Sequence, residues 1–224
     1  HSPLVLIANR TPEITSVHDL ANKKLMLEPH SDELLAYLKS EGLSSDQFSI
    51  TQHTFSPSPL IDGQVDAMSA YITDEPFLLN EAGLEYQIFS PRSAGIDFYG
   101  DTLFTTQDIV DNDPDMVKAF LDASLKGWQY AVQHEEEMVD LIYTQYSQRH
   151  SRDHLRFEAQ ETIKLIAPEA VDIGHLNPDR WQGIASTYAD LGMLPKNYTL
   201  NGFLYKAPRP AARWHALVLG SIGV

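Results

Sequence analysis

The sequence contains no cysteine. That removes disulfide staples, thiolate metal centres and cysteine nucleophiles together, and leaves the fold indifferent to redox compartment. Positive charge is also scarce: 16 Lys and Arg stand against 31 Asp and Glu, a formal charge of −15. This balance excludes a basic nucleic-acid binder and disfavours anionic lipid as a direct partner. Neither G-x-G-x-x-G nor G-x-x-x-x-G-K-[ST] occurs, so dinucleotide and P-loop chemistry have no support. No G-x-S-x-G elbow presents a serine nucleophile. No cofactor is expected. Nothing resembling a secretory leader precedes His1, so the expectation is a cytosolic chain or one whose natural beginning has been cut.

What is present suffices for a packed core: 224 residues, 43% hydrophobic and 10% aromatic, enough for one large or two small domains. Pro3 to Ala8 (PLVLIA) reads as a buried strand with no lead-in turn, and a chain rarely begins inside its own core, which favours the cut. At the far end Trp214 to Val224 is an apolar run of eleven residues. Such a run rises only about 16 Å as a helix, whereas a bilayer needs roughly 20 residues. It reads either as the first half of a membrane span or as a helix docked on the core.

The first half alternates short strands with short helices. Ser16 and Asp19 have capping-box spacing for a brief helix, and Lys24 to Leu27 is a strand. Ser31 is positioned to cap a helix carrying Leu34, Leu35 and Leu38 on one face, ended by Gly42. Phe48 to Thr54, Val65 to Ile72 and Tyr86 to Phe89 read as strands, with a helical turn or two over Ser56 to Ile61. Helices between strands imply parallel pairing in an α/β layer, where ligands sit beyond the carboxyl ends of strands. Ile96 to Thr105 is aromatic and alternating, a further strand. From Asp113-Pro114 onward the period becomes helical: four helices carry Val117 to Ala131, Met138 to Tyr146, Leu155 to Ile166 and Trp181 to Tyr188. Their stripes need partners, and the strands at the start and at Ile96 to Thr105 look like borrowed edges of a second sheet. The expected molecule is therefore two-lobed, with the second lobe incomplete.

Two strand-end loops hold the most informative chemistry. At Glu28 to Asp32, the first amides of a helix, with Ser31 and Asp32, can bind a ligand acceptor while the Glu28 carboxylate accepts from an amine. Tyr71, Thr73, Asp74 and Glu75 offer a ring, a hydroxyl and two acceptors; Asp97 and Tyr99 repeat that chemistry. Carboxylates with aromatic rings suit a flat, amine-bearing heterocycle. Glu75-Pro76 equally suits the cap of a helix beginning at Phe77. His150 and His154 have the spacing of a two-His metal face, but H-S-R-D-H lacks the glutamate of H-E-x-x-H and no third ligand is in view. A solvated helix face is the reading, and no metal is expected.

Taken together, HSPLVLIA, SVHDLANKKLMLEPHSDELLAYLKSEG, VDAMSAYITDEPFLL and GIDFYGDTLFTT resemble the periplasmic solute-binding-protein fold of the thiamine-pyrimidine and sulfonate-binding type. The specific part is the combination of MLEP, TDEP and IDFYGD. The close of the chain, RWQGIASTYADLGMLP and NGFLY before a Pro-rich step, is similar to a membrane-anchored branch, sensor domains fused to histidine kinase or diguanylate cyclase modules. The resemblance implies a type II periplasmic-binding-protein-like α/β fold of two lobes with the first truncated, because the family's opening strands and helices are absent from this sequence. It implies a complete lobe over 1–95, helices of the other lobe over 96–205, and a juxtamembrane segment over 206–224. It further implies a non-enzymatic, extracytoplasmic sensor of a small nitrogen heterocycle, with Glu28 and Glu75 recognising the ligand. Asp97 and Tyr99 would couple the site to hinge strands at Pro3 to Ala8 and Ile96 to Thr102. Delivery of substrate to an uptake transporter is the alternative. The family's enzymatic relatives, pyrimidine-precursor synthases, carry a cysteine-rich motif that this chain lacks. Expected partners are the ligand and, through the C-terminal segment, a membrane; free sheet edges also offer a second copy a place to pair.

Overall fold

The computed structural model of the chain describes residues 1–206; the apolar run from Trp214 to Val224 lies outside them. Five strands, β1 (Leu4–Asn9), β2 (Lys24–Leu27), β3 (Ser49–Gln52), β4 (Ala67–Tyr71) and β5 (Tyr86–Phe89), form one sheet in the order β3-β2-β4-β1-β5. β2 pairs in parallel with both β3 and β4, as expected from the helices between them. β1 runs antiparallel to β4 and β5, with Val5 opposite Ala70 and Ile7 opposite Ile88, so the sheet is mixed rather than all parallel.

The period-2 alternation of the strands divides their side chains between two cores. On one face Leu6, Ala8, Leu25, Leu27 and Ala67 pack against Leu34, Tyr37 and Leu38 of α1 (Asp32–Ser40) and against Val17 and Leu20 of a short 3-10 turn. That turn is held by the capping box expected between Ser16 and Asp19. On the other face Val5, Ile7, Met26, Met68 and Ala70 meet Leu60 of α2 (Ser58–Ile61) and Leu79 of α3 (Glu75–Glu81). Both faces are covered, which is why the central strands read as continuous apolar runs. Gly42 sits at φ +81 just past α1, where a side chain would be strained.

Two local expectations are corrected. Ser31 occupies the N-cap position of α1 but makes no capping bond; its hydroxyl donates to the Glu28 carbonyl at 2.8 Å, closing the preceding loop instead. Residues 96–105 form no strand. Ser2 N–H donates to the Phe98 carbonyl at 2.8 Å, but among the described residues no neighbouring strand offers a ladder, and an unpaired extended segment is not a sheet.

The rest is helical: α4 (Gln107–Asn112), α5 (Pro114–Gln133), α6 (Glu135–Leu141) continued by a π turn at Ile142–Tyr146, α7 (Arg152–Ile166) and α8 (Pro178–Asp190). Asp113, Ser151 and Asn177 cap α5, α7 and α8 through side-chain oxygens, as the sequence pattern indicates for α5 and α8. α8 is tied to the sheet region by Lys39 Nζ donating to the Asp190 carbonyl at 2.9 Å and by Tyr188 against Phe98. None of the described helices is long and apolar enough to cross a membrane.

Candidate functional site

β2 and β4 are parallel neighbours, so the loops that follow them, Glu28 to Asp32 and Thr73 to Pro76, emerge at the same edge of the sheet. Ser69 on β4 joins the two. Its hydroxyl accepts from Glu28 N–H at 2.9 Å, and its carbonyl lies 3.0 Å from His53 Nε2 on the far side of β2. His53 is buried and its Nδ1 accepts from Phe55 N–H at 2.9 Å, so Nε2 carries the proton and donates to Ser69. The strand ends are thus pinned by polar groups that the alternating pattern does not reveal.

Around this edge the acids gather. Glu75, at the start of α3, turns its carboxylate back to accept from Tyr71 N–H at 2.7 Å. Burial pushes its carboxyl up to about 7, helped by the negative charge of Asp74 and Glu28. Tyr71 presents a ring that is 45% exposed. Its phenol is pushed up by burial and by the charges of Glu28, Asp101, Glu75 and Glu33. Glu75 thus meets Tyr71 directly, while Glu28 acts on both through its charge. Two acids were missed. Glu33, in the first turn of α1, is pushed up to about 7 by burial, against the opposing influence of Ser2 and Phe98. Asp101, exposed in the return segment, completes the ring of charge around Tyr71. Neither carries a local sequence signal, because both are brought in by the path of another segment.

Beside Glu28 opens a groove of about 300 Å³, lined on one side by Leu27 to Asp32 and Leu35 and on the other by Ile50, Thr51 and Gln52. Its size is at the lower end for small-molecule sites. Glu28, Ser31 and Asp32 face it; Tyr71, Thr73, Asp74 and Glu75 do not line it. At its rim His30 stands at φ +64, a left-handed conformation uncommon for a residue with a side chain.

The remaining predicted residues lie elsewhere. Thr73 is buried. Asp74 turns away from the acids and shares a 2.7 Å hydrogen bond with His154 Nε2 on α7. This corrects the reading of His150 and His154 as a solvated face: His154 is only 1% exposed, stacks on Phe77 at 4.5 Å and meets the His150 ring at 4.1 Å. The partner absent from the local sequence is Asp74, 80 residues away along the chain. Asp97 is held by His1 Nδ1 at 2.7 Å and by the Arg180 guanidinium at 3.0 Å. The Tyr99 hydroxyl accepts from Asn177 N–H at 2.7 Å, and its ring lies under Arg180 and beside Trp181. These two residues fasten the return segment to α8.

No curated protein matches the sequence significantly. Among solved structures, the chain is similar to the periplasmic aliphatic sulphonate binding protein SsuA from Escherichia coli, at 12% identity and a TM-score of 0.71, covering 99% of this chain and 71% of that one. It is similar to a putative periplasmic sulfonate-binding protein from Methylobacillus flagellatus, at 19% identity and a TM-score of 0.53, covering 86% and 67%. A zinc-bound ligand-binding component of an ABC-type import system from Staphylococcus aureus matches at 16% identity and a TM-score of 0.60, covering 87% and 65%. The chain thus spans about two thirds of the length of these proteins. At such identities the likeness establishes a mixed α/β fold of the periplasmic-binding-protein kind, as the resemblance of the motifs implied. The family model described as NMT1/THI5 like matches residues 1–138, more than half of the sequence, and the chain belongs to that family.

Proposed function

We propose that the chain is a non-enzymatic ligand-binding domain that recognises a small amine-bearing nitrogen heterocycle, such as a thiamine-pyrimidine precursor, on the extracytoplasmic side of a membrane. The observation that carries this is the half-exposed Tyr71, bonded through its N–H to Glu75 and lying in the field of Glu28, Glu33 and Asp101. An acid-lined edge repels a sulfonate and attracts a protonated or hydrogen-bond-donating base. The ring supplies a face for stacking and for cation–π attraction. A ligand amine placed between Glu28 and Glu75 supplies the positive charge that the cluster lacks. The ligand kind thereby differs from the one named in the sulfonate-binding structural relatives, while the fold stays the same.

The domain organisation that follows is one α/β lobe over 1–95, with 96–205 contributing to a second lobe. Ligand closes the two lobes, and closure is signal only if the ligand favours the closed state. We read the output as signalling through a membrane tether in 206–224, supported by the motif resemblance at RWQGIASTYADLGMLP and the apolar run that follows Arg213. Delivery to an uptake transporter is the second reading, favoured by the transport systems to which the structural relatives belong.

The experiment is thermal melting with the aminopyrimidine precursor of thiamine, with thiamine, and with an alkanesulfonate. A ligand at one hundred times its Kd adds about 2.7 kcal/mol of stability, which a melt resolves. The expected result is a rise in Tm with the aminopyrimidine, abolished by Glu28→Gln combined with Glu75→Gln, and none with the sulfonate. Stabilisation by the sulfonate alone, or by no heterocycle at saturation, overturns the reading.

A further inference from the structure

Outside the acid-lined edge, Asp74, His150 and His154 each turn a metal-ligating atom toward a common point, with all three atoms within 4.8 Å of one another. We propose that these three residues form a site for a first-row divalent transition ion of the zinc type, clipping the β4–α3 loop to the start of α7. The donor set is two imidazole nitrogens and one carboxylate oxygen, which suits zinc and its neighbours and is too nitrogen-rich for calcium or magnesium. Three protein ligands leave a fourth position open to water or to a ligand atom.

The geometry is close to what the ion requires. In a tetrahedral site with bonds of about 2.0–2.1 Å, neighbouring donor atoms stand roughly 3.3 Å apart. Asp74 Oδ1 and His154 Nε2 are now 2.7 Å apart, so admitting an ion between them means separating them by about half an ångström and displacing the proton they share. His150, just ahead of the Ser151 cap, brings its ring edge-on to that of His154, in the first turn of α7, with centroids 4.1 Å apart. His154 is already fixed in orientation: it is buried, and Phe77 stacks on it while packing against Phe157. Such an apolar wall excludes water from one side of the site and strengthens the field inside it. Glu158, one turn further along α7, is pushed up by burial and by the charge of Asp74. Arg149 is the opposing cation, acting on both His150 and Glu158.

Zinc alone, with no heterocycle, is the probe, so the result is independent of the ligand reading above. The metal-stripped protein is titrated with zinc in competition with a chromophoric chelator. The expected result is one zinc per chain and a zinc-dependent rise in Tm. Cobalt at the same site is expected to give the intense visible bands of a four-coordinate ion. His150→Gln is the primary variant, because its side chain is only half-buried and its loss leaves the His154–Asp74 bond intact. It is expected to weaken zinc at least tenfold and remove the cobalt bands. Asp74→Asn gives the same loss if folded, which its circular dichroism verifies. His175→Gln, on an exposed histidine outside the cluster, is expected to change nothing. Failure of the wild-type protein to bind zinc, or unchanged zinc binding in His150→Gln, overturns the site.

Discussion

The sheet region and the helical region bury their apolar side chains to very different degrees. Leu6, Ile7, Leu25, Met26, Met68 and Leu79 are inaccessible or nearly so, each held between strands and a covering helix. α5, in contrast, buries none of its residues fully and leaves Met116, Phe120, Trp128 and Tyr130 exposed. Its periodicity is as regular as that of any helix in the chain, so the pattern announces a stripe meant for a partner. The difference teaches that the first region is energetically self-contained, while the second is a set of helices held by their ends and by α8. Stability of this chain should therefore be read from the sheet.

The largest effect that sharpens the contrast is a core truncation. Leu25→Ala on β2 removes a side chain inaccessible to solvent between α1 and the sheet, and such changes cost about 2–5 kcal/mol. Urea unfolding is expected to show a midpoint lowered accordingly, with a slope close to the wild-type value. A cost below about 1 kcal/mol would mean that the sheet is not the stabilising unit.

A second effect tests the seam between the regions. Glu33 is 6% exposed on α1 and reaches Ser2 and Phe98 of the segments that lead to the helical part. Its carboxyl stands at about 7 in the folded protein against 4.5 ordinarily, with burial as the first cause. Between those two values the folded state holds the proton more tightly than the unfolded state, so stability falls as pH rises through the window. Above it the protein carries a buried charge. Glu33→Gln removes that cost, and thermal melts are expected to show the variant more stable by about 1–2 kcal/mol at pH 8 and indistinguishable near pH 4. A variant destabilised equally at both pH values would show that the Glu33 carboxyl titrates alike in the folded and unfolded states and that its raised value is wrong.

How much of this is legible in the sequence follows the same division. β1, β2, α1, β4 and β5 sit where their apolar patterns place them, because each pattern is local and the core enforces it. The acid-bearing loops after β2 and β4 are legible too, since a parallel α/β layer puts its strand ends together. What escapes is whatever depends on the route of a distant segment. Asp101 acts on Tyr71, and Phe98 on Glu33, from a return segment that reaches the start of the chain through Ser2 N–H and the Phe98 carbonyl. Asp74 finds His154 only because α7 returns to the sheet. The aromatic alternation of 96–105 is a strand signal without a ladder, and alternation alone does not supply one.

Capping gives an intermediate effect inside the helical region. The Ser151 hydroxyl accepts from His154 N–H at 3.2 Å and satisfies one of the first amides of α7. Ser151→Ala is expected to cost about 1 kcal/mol by urea unfolding. Because the same turn places His154 against Asp74, the loss should also loosen that contact, seen as faster amide exchange in the first turn of α7. Exchange unchanged there would mean that Phe77 and Asp74 hold His154 without help from the cap.

The smallest effect is the one that most directly challenges the comparison. Phe120 is 59% exposed on α5, so its truncation to alanine removes little buried area and opens no cavity. The expected change in stability is within about 0.5 kcal/mol. A loss of 2 kcal/mol or more, the scale of a core deletion, would mean that the ring is covered in solution, by another copy of the chain or by part of the chain itself. Sedimentation separates those outcomes: a covering copy makes the wild-type mass depend on concentration and the Phe120→Ala mass independent of it. An internal cover leaves both monomeric. Either result would transfer part of the stability from the sheet to the helices and end the reading of α5 as an unpartnered stripe.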